Sequence, residues 1–178
     1  MQSKTAPSTD TAGEDPPHLE LPEYTGYLIR RAQQVHAALW QQEISSDVTS
    51  VQFGVLNLLA LQPGIDQRTL GEHLQLDRST IADIVARLQK RGYLQRIRDS
   101  ADRRRNVLTL TGRGELALAE LIPQAFSVNQ ILTSGLRAGD AQELRRLLVL
   151  LLDAPRVRDT VGDAAGEPQT GSIEPQTG

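Results

Sequence analysis

The chain has 178 residues, a net charge of −3 and no cysteine, which excludes disulfides, thiolate metal sites and cysteine nucleophiles. Its hydrophobic content of 39% lies between two polar ends, so roughly 130 residues are left to form a core, enough to be stable without staples. The longest apolar run, LLVLLLDA, falls far short of the ~20 residues of a membrane span. Residues 1–24 carry no apolar stretch of the kind that directs secretion, so a soluble, cytoplasmic protein is expected.

The charge is segregated. Residues 66–113 hold eleven basic side chains (Arg68, Arg78, Arg87, Lys90, Arg91, Arg96, Arg98, Arg103, Arg104, Arg105, Arg113) against six acidic ones (Asp66, Glu72, Asp77, Asp83, Asp99, Asp102), a net of +5 that leaves −8 for the rest. Such asymmetry is the footprint of a module that binds a polyanion; solvated helix faces would scatter the charge instead.

In chain order, residues 1–18 are rich in Ser, Thr, Pro, Asp and Gly and are expected to be disordered. Residues 155–178, where EPQTG occurs twice, are expected to be so too. The domain is therefore 19–154. Pro22 suits a first helical turn, and Leu28, Ala32, Val35 and Leu39 recur at helical spacing, predicting a helix over 22–44. A second helix is predicted over 49–61, stopped by Pro63-Gly64. A short helix over 67–74 has Asp66 as its cap, and another over 78–91 has Asp77 as N-cap and Gly92 as its stop. Leu70, Leu74, Ile81, Ile84, Val85 and Leu88 give these two short helices one apolar seam, the pattern of a helix-turn-helix. YLQRIR and the alternating NVLTL predict a β-hairpin around an arginine-rich tip. Thr111 is placed to cap a helix over 111–133, broken near Gly135; a last amphipathic helix over 139–153 carries Leu144, Leu147, Leu148 and Leu151. The expected fold is mainly α with a small β-hairpin wing: a winged helix-turn-helix between N- and C-terminal dimerisation helices.

The stretch TLGEHLQLDRSTIADIVARLQKRGYLQRIRDSADRRRNVLTLTGRG resembles the MarR family of bacterial transcriptional regulators, and the resemblance extends over residues 22–153. The family's wing pattern, Asp-x-Arg followed by an apolar strand and Leu-Thr-x-x-Gly, matches Asp102, Arg104, Leu108, Leu110, Thr111 and Gly114. The sequence departs from it in having Val107, Leu108 and Thr109 where charged residues often stand. The resemblance implies a DNA-binding lobe over about 49–110 and a triangular homodimer clasped by helices over about 22–44 and 111–153. It further implies repression relieved by a small aromatic acid or phenol bound between the dimerisation helices and the DNA-binding lobe.

Arg78, Ser79 and Thr80 open the expected recognition helix, with Asp83 and Arg87 one and two turns on. Arginine can bond guanine bidentately, and hydroxyls can serve base edges or phosphates; alternatively Asp77, Ser79 and Thr80 only cap the helix. Gln67 and Arg68, at the start of the preceding helix, can meet phosphate. At the hairpin tip Arg104 is narrow and permanently charged, which suits a minor groove. Asp102 cannot approach a phosphate and is expected to aim Arg104, and the resemblance implies the same two roles. Arg103 and Arg105 would flank it on phosphates. One helix and one wing reach one half-site, so specific binding implies a homodimer on pseudo-palindromic double-stranded DNA.

His36 and Trp40, at i and i+4 on the first helix, can bond and stack a flat, weakly acidic ring, with Phe53, Asn57 and Arg30 completing an effector site. The alternative is Trp40 as a core anchor with His36 satisfied nearby. A resemblance to regulators of aromatic or N-heteroaromatic catabolism, such as the nicotinate-pathway repressors, implies a catabolic intermediate as effector, for example a hydroxylated aromatic or N-heteroaromatic acid. No cofactor or metal is expected. His18, His36 and His73 stand apart, and there is no Gly-rich phosphate loop or nucleophile elbow, so an enzyme is not expected. A winged-helix adaptor for protein partners is the alternative, though it needs no such concentration of basic residues.

Overall fold

The computed structural model describes residues 19–44, 47–99 and 106–154. They fall into two compact units, one ending at Gln34 and the other starting at Val35.

In the first unit, Leu21–Glu23 is a single 3-10 turn holding Pro22, closed by N–H bonds from Glu23 to Glu20 and from Tyr24 to Leu21. Helix α1, Thr25–Glu43, starts only after it. The expected start at 22 is thus corrected: Pro22 does open a helical turn, but Tyr24 is extended (ψ 106°) and interrupts it. The residue that α1 buries is Trp40, while Leu28 and Val35 of the expected stripe are exposed.

The second unit continues with α2 (Ser50–Leu61), α3 (Gln67–Leu74) and α4 (Arg78–Lys90). Strands β1 (Leu94–Arg98) and β2 (Asn106–Leu110) and helices α5 (Gly112–Leu132) and α6 (Ala138–Asp153) follow. Each of α2 to α5 starts where a side chain satisfies an orphan N–H of the first turn. Thr49 accepts from Gln52 N, whose side chain accepts from Thr49 N in return. Asp66 accepts from Thr69 N, Asp77 from Thr80 N and Thr111 from Gly114 N. Gly92, at φ 73°, ends α4 in a backbone state that few other residues adopt at low cost.

The apolar seam between α3 and α4 is present: Leu70, Ile81, Ile84, Val85 and Leu88 are buried, and Leu74 packs against them. They join Val55, Leu56 and Leu59 of α2, Leu94 and Leu108 of the hairpin and Leu118, Leu121 and Val128 of α5 in one core. The hairpin is antiparallel, with Leu94 opposite Leu110, Arg96 opposite Leu108 and Arg98 opposite Asn106. Ile65, just before α3, adds a bridge to Leu108 through N–H···O bonds of 2.8 and 3.0 Å involving Gly64 and Ile65. The hairpin is thereby sewn to the helix-turn-helix.

A second junction joins the hairpin to α5. The Thr111 hydroxyl donates to the Gly92 carbonyl, and Thr111 N donates to Tyr93 O at 3.0 Å. The first turn of α5 comes so close that a Cβ on Gly114 would overlap the Tyr93 carbonyl. Helix α6 buries no side chain, and Leu144, Leu147, Leu148 and Leu151 are exposed. Among the described residues no helix is long and apolar enough to cross a membrane.

Gly114→Ala should lower stability in urea unfolding by at least about 3 kcal/mol, because the backbone carbonyl it strikes cannot swing aside. Gly139→Ala, whose Cβ meets nothing within 4 Å, should be neutral or stabilising by up to about 1 kcal/mol. Equal stability of the two variants would contradict the packing at Tyr93.

Candidate nucleic-acid interface and effector site

Helix α4 buries Ile81, Ile84, Val85 and Leu88 and turns Arg78, Ser79, Asp83, Ala86, Arg87 and Lys90 to solvent. The two faces follow from the 3.6-residue period. At its start, both the Ser79 and Thr80 hydroxyls donate to the Asp77 carboxylate, which also accepts Thr80 N–H at 2.8 Å. The Ser79 hydroxyl, then the Thr80 hydroxyl and N–H, hold the Asp77 carboxyl well below the usual carboxylate range. Asp77 is therefore ionised throughout physiological pH, and the two hydroxyls point their hydrogens at it. Asp83 and Arg87 stand 4.0 Å apart at i and i+4, both exposed. At that distance and exposure the pair is weak, so Arg87 remains available.

Ahead of the turn, Arg68 is bound to Glu72 at 2.7 Å. The Gln67 side-chain oxygen accepts a bond from Arg96 of β1 at 2.6 Å. From sequence alone Gln67 and Arg68 are both expected to be able to meet phosphate, and Arg96 counts only toward the basic charge of the segment. A tie between positions 67 and 96 depends on the hairpin folding back, which local sequence does not signal. The tip residues Asp102, Arg103, Arg104 and Arg105 lie outside the described residues.

The Trp40 ring packs against both His36 (centroids 5.9 Å) and Phe53 (5.4 Å), both pairs tilted near 50°. Trp40 is 7% exposed and its indole N–H donates to Val48 O at 2.7 Å, so it anchors the core as the sequence reading allowed. His36 and Phe53 are half-buried, as is Asn57 one turn after Phe53. Next to Val48, Asp47 accepts from Arg91 through its carbonyl at 3.1 Å and faces it with its carboxylate at 3.9 Å. Arg91 is the C-cap of α4. Arg30 belongs to the first unit, where its guanidinium lies over the Tyr27 ring at 5.2 Å.

A capped, basic helix after a tight turn, sewn to a two-stranded wing, defines a winged helix-turn-helix DNA-binding protein. The MarR family model matches residues 46–105. The HTH-type transcriptional repressor NicR of Pseudomonas putida is 32% identical over 155 residues, covering 86% of this chain and 97% of NicR. The structure of the PcaV transcriptional regulator of Streptomyces coelicolor with its natural ligand superposes with a TM-score of 0.73 at 40% identity, over 78% of this chain and 98% of that one. The structure of Bordetella bronchiseptica BpsR, whose DNA binding is regulated by 6-hydroxynicotinic acid, gives 0.72 at 33% identity, over 79% and 99%. The chain belongs to the MarR family and is a DNA-binding regulator of transcription.

The Asp77 cap has a pH signature. A carboxyl held low in the folded state contributes stability above its unfolded pKa, near ~3.9, and loses it as pH falls toward the folded value. The difference in melting temperature between wild type and Asp77→Ala should therefore stay constant from about pH 7 to 5 and shrink below about pH 4. A difference that grows on acidification would contradict the bonding at the start of α4.

Proposed function

We propose that the protein is a cytoplasmic homodimeric repressor that binds a pseudo-palindromic operator and leaves it when a small aromatic acid binds beside Trp40. In this reading α4 lies in the major groove, with Arg78, Ser79, Thr80, Asp83 and Arg87 toward the bases. The wing tip reaches the minor groove through Arg104, aimed by Asp102 and flanked by Arg103 and Arg105. The lobe over 49–110 holds DNA, and helices α1, α5 and α6 dimerise. The unburied leucines of α6 support that last assignment, since exposed apolar faces of this extent mark partner surfaces.

The effector would stack against the Trp40–Phe53 pair and bond His36 and Asn57. The observation that carries this reading is the segment 47–48, hydrogen-bonded to Trp40 on one side and to Arg91, at the end of α4, on the other. A ligand that moves Trp40 then acts on the position of α4, and the spacing of two such helices must match one turn of DNA, about 34–36 Å. The ligand shifts binding only as far as it prefers the DNA-incompetent state. The regulation of BpsR by 6-hydroxynicotinic acid supports the class of effector.

Trp40 is the sole tryptophan, so its fluorescence reports on this site alone. Benzoates, hydroxycinnamates and hydroxylated nicotinates should be titrated against the protein on a duplex selected from a random pool. At least one should release the DNA while changing Trp40 emission, and His36→Ala should weaken that response roughly tenfold, the worth of one charge-assisted bond. Release without any change at Trp40, undiminished in His36→Ala, would place the effector elsewhere.

A further inference from the structure

The duplex-binding reading leaves open which side chain meets the sugar-phosphate wall between the two grooves. If α4 occupies the major groove and the wing an adjacent minor groove, the backbone separating them passes across the seam between helix-turn-helix and hairpin. That seam is built by the Ile65–Leu108 bridge. Arg96, opposite Leu108 in the hairpin register, stands on it.

The guanidiniums of the helix-turn-helix and of β1 are not equivalent. Arg68 is paired with Glu72 at 2.7 Å and Arg91 with Asp47 at 3.9 Å, while Arg87 stands 4.0 Å from Asp83 in a weak, exposed pair. Each shares its field with a carboxylate. Arg96 is exposed and bound through Nη2 to the neutral amide oxygen of Gln67 at 2.6 Å, and among the described residues it joins no ion pair. Its side chain is thus oriented without being neutralised. A guanidinium carries five N–H donors in a planar fork, so one bond to Gln67 leaves the rest for an anion. Holding the chain in place beforehand also lowers the entropy lost when the anion binds. Gln67 is the first residue of α3, whose N-terminus is already capped by the Asp66 carboxylate, so the positive charge offered at this place is that of Arg96 itself.

We infer that Arg96 is a phosphate anchor for duplex DNA at the seam between the helix-turn-helix and the wing, with Gln67 as its positioning residue. The inference rests on the duplex-binding reading above and adds a contact that is blind to base sequence. Gln67 then acts through Arg96 rather than by touching phosphate itself.

The test is the salt dependence of binding to two duplexes, one selected by the wild-type protein from a random pool and one unrelated duplex of equal length. Arg96→Ala should reduce the slope of log K against log [KCl] by about 0.9 per half-site, roughly two per dimer, on both duplexes alike. Affinity should fall roughly tenfold per half-site. Gln67→Glu keeps the acceptor oxygen but adds a charge, and should lower the slope nearly as much with melting temperature unchanged. If Arg96→Ala does not fold, Arg96→Lys serves instead: it should keep the slope yet bind more weakly, because an ammonium lacks the fork. Slopes and affinities equal to wild type in the folded variants overturn the inference, as does a loss confined to one base position of the selected duplex. A wild-type protein that enriches no duplex and binds independently of salt overturns the duplex-binding reading itself, and this inference with it.

Discussion

The first turn of α5 lies against the backbone of Tyr93 with no room for a Cβ at position 114, and three elements take their places from that contact. Thr111 caps α5, bonds the Gly92 carbonyl that ends α4 and, through its N–H, bonds Tyr93 at the foot of β1. The end of the helix proposed to read DNA, the root of the wing and the start of a long apolar helix thus meet within a few residues. A packed junction of this kind transmits displacement, because protein interiors are close-packed and yield little. Any shift of α5 must therefore be felt at the wing and at the end of α4.

The same economy governs charge. The chain is acidic as a whole and basic between 66 and 113, so the field of the DNA-binding module depends on where its arginines find carboxylates. Exposed pairs such as Arg68–Glu72 contribute little to stability, and their consequence is local neutralisation. The Asp77 carboxylate, ionised and bonded by Ser79 and Thr80, likewise makes the start of α4 a poor place for phosphate. In the proposed reading, anchoring to the backbone falls to Arg96, and the hydroxyls of α4, which donate to Asp77, can only accept from donors on base edges.

Much of this was legible in the sequence, and the exceptions share a cause. The caps Asp66, Asp77 and Thr111 were readable because a short polar side chain before an apolar-periodic run has one common use. The α3–α4 seam and both strands were readable from periodicity. The bridge at Ile65 and the bond from Arg96 to Gln67 were not, since each joins positions distant in sequence and depends on how the hairpin folds back. Pro22 misled because a proline that suits a first turn says nothing about whether the helix continues; Tyr24 interrupts it. Trp40 and His36 were found as a pair at i and i+4, but the burial of Trp40 against Val48 depends on the path of the chain after α1.

In the proposed complex a symmetric pair of winged helix-turn-helix lobes grips duplex DNA in adjacent grooves. A hydroxyl-radical footprint on a duplex selected by the wild-type protein tests it most directly, because it reports backbone protection nucleotide by nucleotide. Two symmetric protected regions are expected, centred about 10–10.5 base pairs apart, each extending into a neighbouring minor groove on its outer side. A single protected region without two-fold symmetry, or an unprotected minor groove, would contradict it.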